Sequence, residues 1–356
     1  MVQYSGLRFW KDVAARDRTI DRLLALRAGL TQQIIASNKQ TSVLLATWNI
    51  RDFGGHRLNP GPRLDESLLY IAEIISAFDL VAIQEVNEDM TEFQKVMRLL
   101  GPHWDYIVTD QSGNMERLAF VFDRRKILFR HVAGEIVLPE KKGSPVPQFN
   151  RTPFLVAFQA GWFKFNICTV HIYYGSATDT AKRKREISDI AEFFAARQKK
   201  DGETYILLGD FNILNPEDPT MGALLGGGFE VPAALRKPTA LASANFYDQI
   251  ALRTQNKLVE IKNAGNFPWQ NYVFRDDAVD YAAYKPFMPT KTKTEKPIKT
   301  DIGAYRKWRT WQMSDHLPLW TEIKVDFTEA YLESLRTGAE PLADFSRKSV
   351  SAPSAD

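Results

Sequence analysis

A chain of 356 residues that is 44% hydrophobic can bury a large core, as one big domain or two ordinary ones. With 46 Lys+Arg against 43 Asp+Glu, its formal net charge of +3 excludes a global field of the histone type, so any attraction to phosphate must be local. The one cysteine, Cys168, excludes an intramolecular disulfide framework and cysteine-rich zinc sites; it favours a reducing compartment, with the cytoplasm as the expected location.

The first residues, "MVQYSGLRFWKDVAARD", lack an apolar stretch of signal-peptide length. No window approaches the roughly eighteen apolar residues of a membrane span, so no stable membrane insertion is expected. From about Phe9 to Ser37 the residues Ile20, Leu23, Leu24, Leu30, Ile34 and Ile35 fall on or near one helical face. That pattern predicts an amphipathic helical extension, residues 1–40, packed on the flank of a domain; its mixed-sign polar face argues against a membrane-surface helix.

Strand and helix signals then alternate. "SVLLATWNI" reads as a strand, "LDESLLYIAEIISAF" as a helix, "DLVAIQEV" as a short strand ending in an acid, and "DMTEFQKVMRLL" as a helix. Next, "RLAFVFDRRKILFRHVAGEIV", "PFLVAFQAGWFKFNICTVHIYY" and "KLVEIKN" carry the aromatic and β-branched alternation of meander strands. "DTAKRKREISDIAEFFAARQKK" is helical, and "NPEDPTMGALLGGGFEVP", rich in Gly and Pro, reads as a surface loop. The segment from about Phe267 to Trp311 reads as irregular, and the tail from about Leu342 has the composition of disorder. This order predicts an α/β fold of two packed mixed sheets with helices outside.

Polar residues collect where apolar runs stop. They are Asn49 and Arg51 in "TWNIRDFGG", Gln84 and Glu85 in "LVAIQEVN", His171 in "CTVHIYYG", Asp210 and Asn212 in "LLGDFN", Asp248 in "FYDQIAL", and Ser314, Asp315 and His316 in "QMSDHLPLW". Singly each has an ordinary explanation: a turn for Asp210 and Asn212, a helix N-terminal acid for Glu85, a satisfied core histidine for His171. Asp248 is the exception, because an unpaired carboxylate inside an apolar strand costs several kcal/mol.

Taken together and in this order, the motifs resemble the endonuclease/exonuclease/phosphatase superfamily, and within it the deoxyribonuclease I branch, from about Val43 to Val325. The resemblance implies a four-layer sandwich of two mixed β-sheets flanked by helices, with the family domain at 41–326, a basic insertion at about 267–311 and a C-terminal extension at 327–356. It implies that Asn49 and Glu85 bind a divalent metal, Mg²⁺ or Mn²⁺, with Asp315 close by; such a hard cation suits oxygen ligands. It implies that His316 pairs with Asp248 and His171 with Glu116, a carboxylate on one ring nitrogen fixing the tautomer. Asp210 would then handle the attacking water, and Asn212 would donate to a phosphate oxygen without adding negative charge.

Superfamily members cut DNA, RNA, phosphoinositides and sphingomyelin, so the shared motifs imply a chemistry and leave the substrate open. "NIRDFG" and "RTPF" resemble the deoxyribonuclease branch, which implies phosphate contacts by Arg51 and Arg151 and makes nucleic acid, specifically DNA, the expected partner of an endonuclease. Asn87 and Asn114 depart from that branch, since they stand where it has a groove-reaching arginine and tyrosine. The insertion offers a compensating basic and aromatic track: Lys285, Lys291, Lys293, Lys296, Lys299, Arg306, Lys307 and Arg309 with Tyr284, Phe287, Tyr305, Trp308 and Trp311. Two alternatives stay open: a phosphatase or phosphodiesterase on a phosphoinositide, sphingomyelin-type lipid or small phosphoester, and a non-catalytic nucleic-acid-binding module. The motifs name no protein partner.

Overall fold

The computed structural model describes residues 1–34, 40–54, 61–140, 146–178, 180–291 and 296–337. The Asp12 side chain accepts from the Ala15 backbone N–H at 2.9 Å and caps α1 (Val13–Gln33). Then follow β1 (Ser42–Phe53), α2 (Asp65–Ile75), β2 (Leu80–Val86), α3 (Thr91–Leu100), β3 (Trp104–Val108), β4 (Arg117–Asp123), β5 (Leu128–Glu135), β6 (Phe154–Ala160) and β7 (Phe163–His171). The second half comprises α4 (Ala181–Asp201), β8 (Tyr205–Asp210), α5 (Pro219–Gly226), β9 (Asp248–Arg253), β10 (Ile261–Asn266), α6 (Ala278–Tyr284), α7 (Ile302–Gln312), β11 (Leu319–Lys324) and α8 (Thr328–Thr337).

The strands form a six-stranded sheet, β10-β11-β1-β2-β4-β3, and a five-stranded sheet, β5-β6-β7-β8-β9. Both are mixed, with β1–β2 and β7–β8 parallel. β1 shows why the layers stack. Its side chains alternate, so Val43 and Leu45 join the core between the sheets while Leu44, Ala46 and Trp48 join a second core under α1, α2 and α3. Buried on both faces, the strand is a nearly continuous apolar run. On the far side of the smaller sheet, Ile187, Ile190, Ala191 and Phe194 of α4 close the fourth layer. The expected four-layer sandwich is the fold.

Several local expectations need correction. Leu23, Leu30 and Ile34 are buried as predicted, but Leu24 is 61% and Ile20 36% exposed, so the apolar face is centred on Leu23, Leu26 and Leu30. The strand predicted in "KLVEIKN" begins only at Ile261. The Gly- and Pro-rich stretch contains α5, because Asp218 caps it, Pro219 sits at its first turn, and Met221 and Leu224 find the core.

The segment expected to be irregular contains α6 and α7, the latter capped by Asp301. Tyr284, Tyr305 and Trp308 are buried in the core under the larger sheet, so these rings form no exposed stacking track. Lys285, Lys291, Lys296, Lys299, Arg306 and Lys307 are exposed, while Lys293 and the tail from Leu342 lie outside the described residues. Charged groups tie this region to α1. Glu66 of α2 receives Arg18 at 2.9 Å, Thr19 at 3.1 Å, Tyr70 at 3.0 Å and Tyr284 at 3.0 Å, and Arg22 pairs with Asp280. Among the described residues no helix is long and apolar enough to cross a membrane.

Gly209 admits no side chain. Gly209, inside β8, has φ +129°, and a Cβ there would lie 2.1 Å from the Val170 carbonyl oxygen on neighbouring β7. Gly209→Ala is therefore expected to destabilise the fold by about 2–3 kcal/mol in urea denaturation; an unchanged midpoint would contradict that close approach.

Candidate active site

The two sheets deliver their strand ends to one place. In the smaller sheet the register sets His171 beside Asp210 and Asp210 beside Asp248, a row across β7, β8 and β9. In the larger sheet Asn49 lies beside Gln84, and irregularities follow at once: the β1–β2 register shifts after Asn49 and the β2–β4 register after Ile83. Glu85 sits at this break with φ +62°, a left-handed conformation that costs a non-glycine residue about 1 kcal/mol or more. Breaks of this kind re-aim a side chain that regular alternation would point elsewhere.

Asn49 bridges the sheets. Its Nδ2 donates to Glu85 Oε1 at 2.9 Å and to Asp210 Oδ2 at 3.1 Å, while its buried Oδ1 has no hydrogen-bond partner among the described residues. Glu85 Oε2 accepts from the Asp52 backbone N–H at 2.8 Å. A bare buried amide oxygen beside a carboxylate is a donor set that suits a hard divalent cation. Asp315, more exposed, lies 3.3 Å from Arg51. Asp210, Asp248 and His316 also gather ligand atoms within 4.8 Å of one another. There His316 Nδ1 already meets Asp248 Oδ2 at 2.7 Å, which engages one atom of each residue, while Asp248 Oδ1 has no hydrogen-bond partner among the described residues.

Both imidazoles turn Nε2 toward the same oxygen. His171 Nε2 is 3.5 Å and His316 Nε2 3.8 Å from Asp210 Oδ2. Each Nδ1 faces a separate acid: His316 hydrogen-bonds Asp248, and His171 lies at ion-pair distance, 3.0 Å, from Glu116 Oε2, which also accepts from Arg151. The His316 backbone N–H donates to Ser314 Oγ at 2.9 Å, and that hydroxyl donates to the Asn49 carbonyl at 2.5 Å, so β1 anchors the turn ahead of β11 within the larger sheet. Asn212, at φ +54°, donates from its side chain to the Ile172 carbonyl at 2.8 Å, and Asp210 Oδ1 accepts the Asn212 N–H at 2.9 Å.

The two arginines are already partnered. Arg151 donates to both oxygens of Glu116, at 2.7 and 3.3 Å. Arg51 donates to Thr310 at 2.6 Å and lies 3.6 Å from the centre of the Trp311 ring. A cleft of ≈ 530 Å³ is lined by Glu85, Arg151, His171, Asp210, Asn212, Asp315 and His316. Arg51 is outside that lining, and Asn49, Glu116 and Asp248 stand behind it, touching residues that do line it. Asn150, Tyr173, Tyr174 and Tyr247 also line it and escape the sequence reading. The available signal was adjacency: "HIYY" follows His171 directly and Tyr247 precedes Asp248.

Electrostatics follow from burial and neighbours. Burial raises the Glu85 carboxyl above its ordinary range; His171 offsets this in part, and Glu116 and Asp315 add to it. Burial alone would lower His316, yet the charges of Asp248 and Asp210 carry it well above the usual histidine range. His171 is raised too: burial and Arg151 act downward, but Glu116 and Asp210 outweigh them.

Glu116 moves the other way. Burial opposes its charge, but His171 and Arg151 bring it from 4.5 down to about 2. Its stabilising contribution is therefore complete above about pH 4.5 and fades as pH falls toward 2. Glu116→Gln is expected to lose on the order of 2 kcal/mol at pH 6 and to show a shallower decline between pH 4.5 and 2. Urea denaturation across that range checks this, and parallel curves for the two proteins would contradict it.

A model of the Endonuclease/Exonuclease/phosphatase family matches residues 46–316. No curated protein matches the chain. Among solved structures, an endonuclease/exonuclease/phosphatase family protein from Bacteroides thetaiotaomicron is 18% identical, with 81% of this chain and 100% of that one covered and a TM-score of 0.53. The human Nocturnin catalytic domain, solved with a bound sulfate anion, is 14% identical over 80% of this chain and 94% of its own, with a TM-score of 0.52. A mannosyl-6-phosphatase of Bacteroides thetaiotaomicron is 15% identical over 79% and 99%, with a TM-score of 0.51. At such identities the likeness is one of fold.

Proposed function

Since the chain belongs to the endonuclease/exonuclease/phosphatase family, whose members are phosphoesterase hydrolases, we propose that it is a divalent-metal-dependent phosphodiester hydrolase acting on nucleic acid, specifically a DNA endonuclease. One observation carries the chemistry: two imidazole Nε2 atoms converge on Asp210, each backed at Nδ1 by its own carboxylate. That arrangement suits proton handling at a phosphate from two sides.

Asn49 Oδ1 and Glu85, with Asp315 nearby, would hold Mg²⁺ or Mn²⁺. When bound, such a cation acts as a Lewis acid on the phosphoryl group and steadies the leaving oxygen. The rest is the chain's own work. Asp210 orients the attacking water and accepts its proton at Oδ2. In their protonated form the imidazoles stabilise the charge that develops on phosphate, and one of them delivers its Nε2 proton to the leaving alkoxide. The second Nδ2 hydrogen of Asn212 donates to a phosphate oxygen.

A phosphatase on a small or lipid-borne phosphoester is the second reading. It is favoured by the engagement of Arg51 and Arg151 with Asp315 and Glu116, which leaves less free positive charge for a polymer backbone. Supercoiled plasmid, linear duplex, single strands, RNA, a phosphoinositide and a p-nitrophenyl phosphomonoester, each with Mg²⁺, Mn²⁺ or EDTA, separate the two. Metal-dependent nicking supports the nuclease. Cleavage of the monoester or lipid alone overturns it, and no cleavage of any of them overturns hydrolysis itself.

A further inference from the structure

Beyond the histidines the cleft wall is aromatic, and the hydrolytic chemistry makes no use of it. The Tyr247 ring lies 5.5 Å from the His316 ring at 35°, and Tyr174 meets Tyr247 edge-to-face at 6.3 Å and 83°. Tyr173 lines the same cleft with Lys182 Nζ 4.0 Å above its ring. Tyr174 is 38% exposed, yet it is held firmly.

The clamp is Arg183, fully buried at the start of α4. Its guanidinium lies 4.8 Å from the centre of the Tyr174 ring and donates to the carbonyls of Tyr174, of Ser176 at 2.9 Å and of Asn212 at 2.8 Å. The tyrosine loop and the Asn212 backbone are thus pinned by one side chain. A large ring kept accessible beside a phosphate-handling centre, on backbone that loses little freedom on binding, is a preorganised stacking surface.

We propose that Tyr174 and Tyr247 take an unpaired base next to the scissile phosphate, so that the preferred substrate is single-stranded nucleic acid; this rests on the nuclease reading and narrows it. An aromatic ring stacks on any base, which makes the contact tolerant of sequence. A base inside a duplex has both faces covered by its neighbours and must first be flipped out to reach the wall. Lys182 adds a cation on the same side for an adjacent phosphate.

The test is binding, measured in EDTA by fluorescence anisotropy, with a labelled oligothymidylate of about ten nucleotides, an abasic strand of equal length and a duplex of equal length. The native protein is expected to bind the base-bearing strand about 10-fold more tightly than the abasic one, and more tightly than the duplex. Tyr174→Leu should bring the strand-to-abasic ratio near one, and Tyr174→Phe should keep it; because this ring is partly exposed, the pair remains informative if Tyr247→Leu does not fold. Equal binding of the two strands by the native protein, preference for the duplex, or no binding of any strand overturns the proposal. Cleavage of the same strands with Mg²⁺ is read in parallel. Base-dependent binding without cleavage sinks the nuclease reading and leaves the wall standing, whereas cleavage without base preference sinks the wall alone.

Discussion

Asp210→Asn is expected to lower kcat on a phosphodiester by about 10³-fold while the chain still folds. The substitution is nearly isosteric, and one amide oxygen can keep accepting the Asn212 N–H. What disappears is the charge that both imidazoles face and that Asn49 Nδ2 donates to. An amide nitrogen placed there would confront donors with a donor, and its oxygen could not take a proton from water. Asp210 also helps raise both histidines, so their protonated fraction falls together with the water-handling group. Single-turnover kinetics with a thermal-unfolding control checks the result. A variant within 10-fold of the native rate would remove Asp210 from the proposed mechanism.

Glu85→Gln is the second large effect, and its two halves differ. Without metal, the native Glu85 charge is disfavoured by its surroundings, and removing it offsets the donor-to-donor contact that a glutamine amide makes with Asn49 Nδ2 or the Asp52 N–H, so the two proteins should be of similar stability. With Mg²⁺ or Mn²⁺ the two part, because the proposed cation site has lost its carboxylate. Cation binding should weaken about 100-fold, and the stabilisation gained on adding metal should shrink by about 2.7 kcal/mol. Calorimetric titration and thermal unfolding with and without metal measure both halves. Equal stabilisation of both proteins by metal would move the cation site elsewhere, with Asp210, Asp248 and His316 as the next candidates.

The legible part of the molecule was its strand ends. An acid, amide or histidine that stops an apolar run stands out in one dimension, and Asn49, Glu85, His171, Asp210 and His316 do converge in three. The parts that stayed hidden depend on partners distant in sequence. Tyr284 and Tyr305 looked available for stacking because the burial of Tyr284 against Glu66 and Arg18 crosses more than two hundred residues. The helix at Pro219 was masked by glycines whose helix-breaking weight is outvoted by a good cap and a core contact. The bare oxygen of Asn49 arises only when two sheets meet, and exposed tyrosines on a loop carry no periodicity to read.

The pairing of β1 with β11 sets the order in which this protein can assemble. During synthesis the first strand leaves the ribosome early, but Ser42 faces Lys324 and Arg22 faces Asp280, neither of which yet exists. At about 5–20 residues per second, β1 waits on the order of tens of seconds for its antiparallel neighbour. Throughout that wait one edge of an apolar strand is open to other chains, an interval in which chaperone capture or aggregation competes with folding. The proposed hydrolytic centre, with His316 just ahead of β11, cannot close before that strand is made.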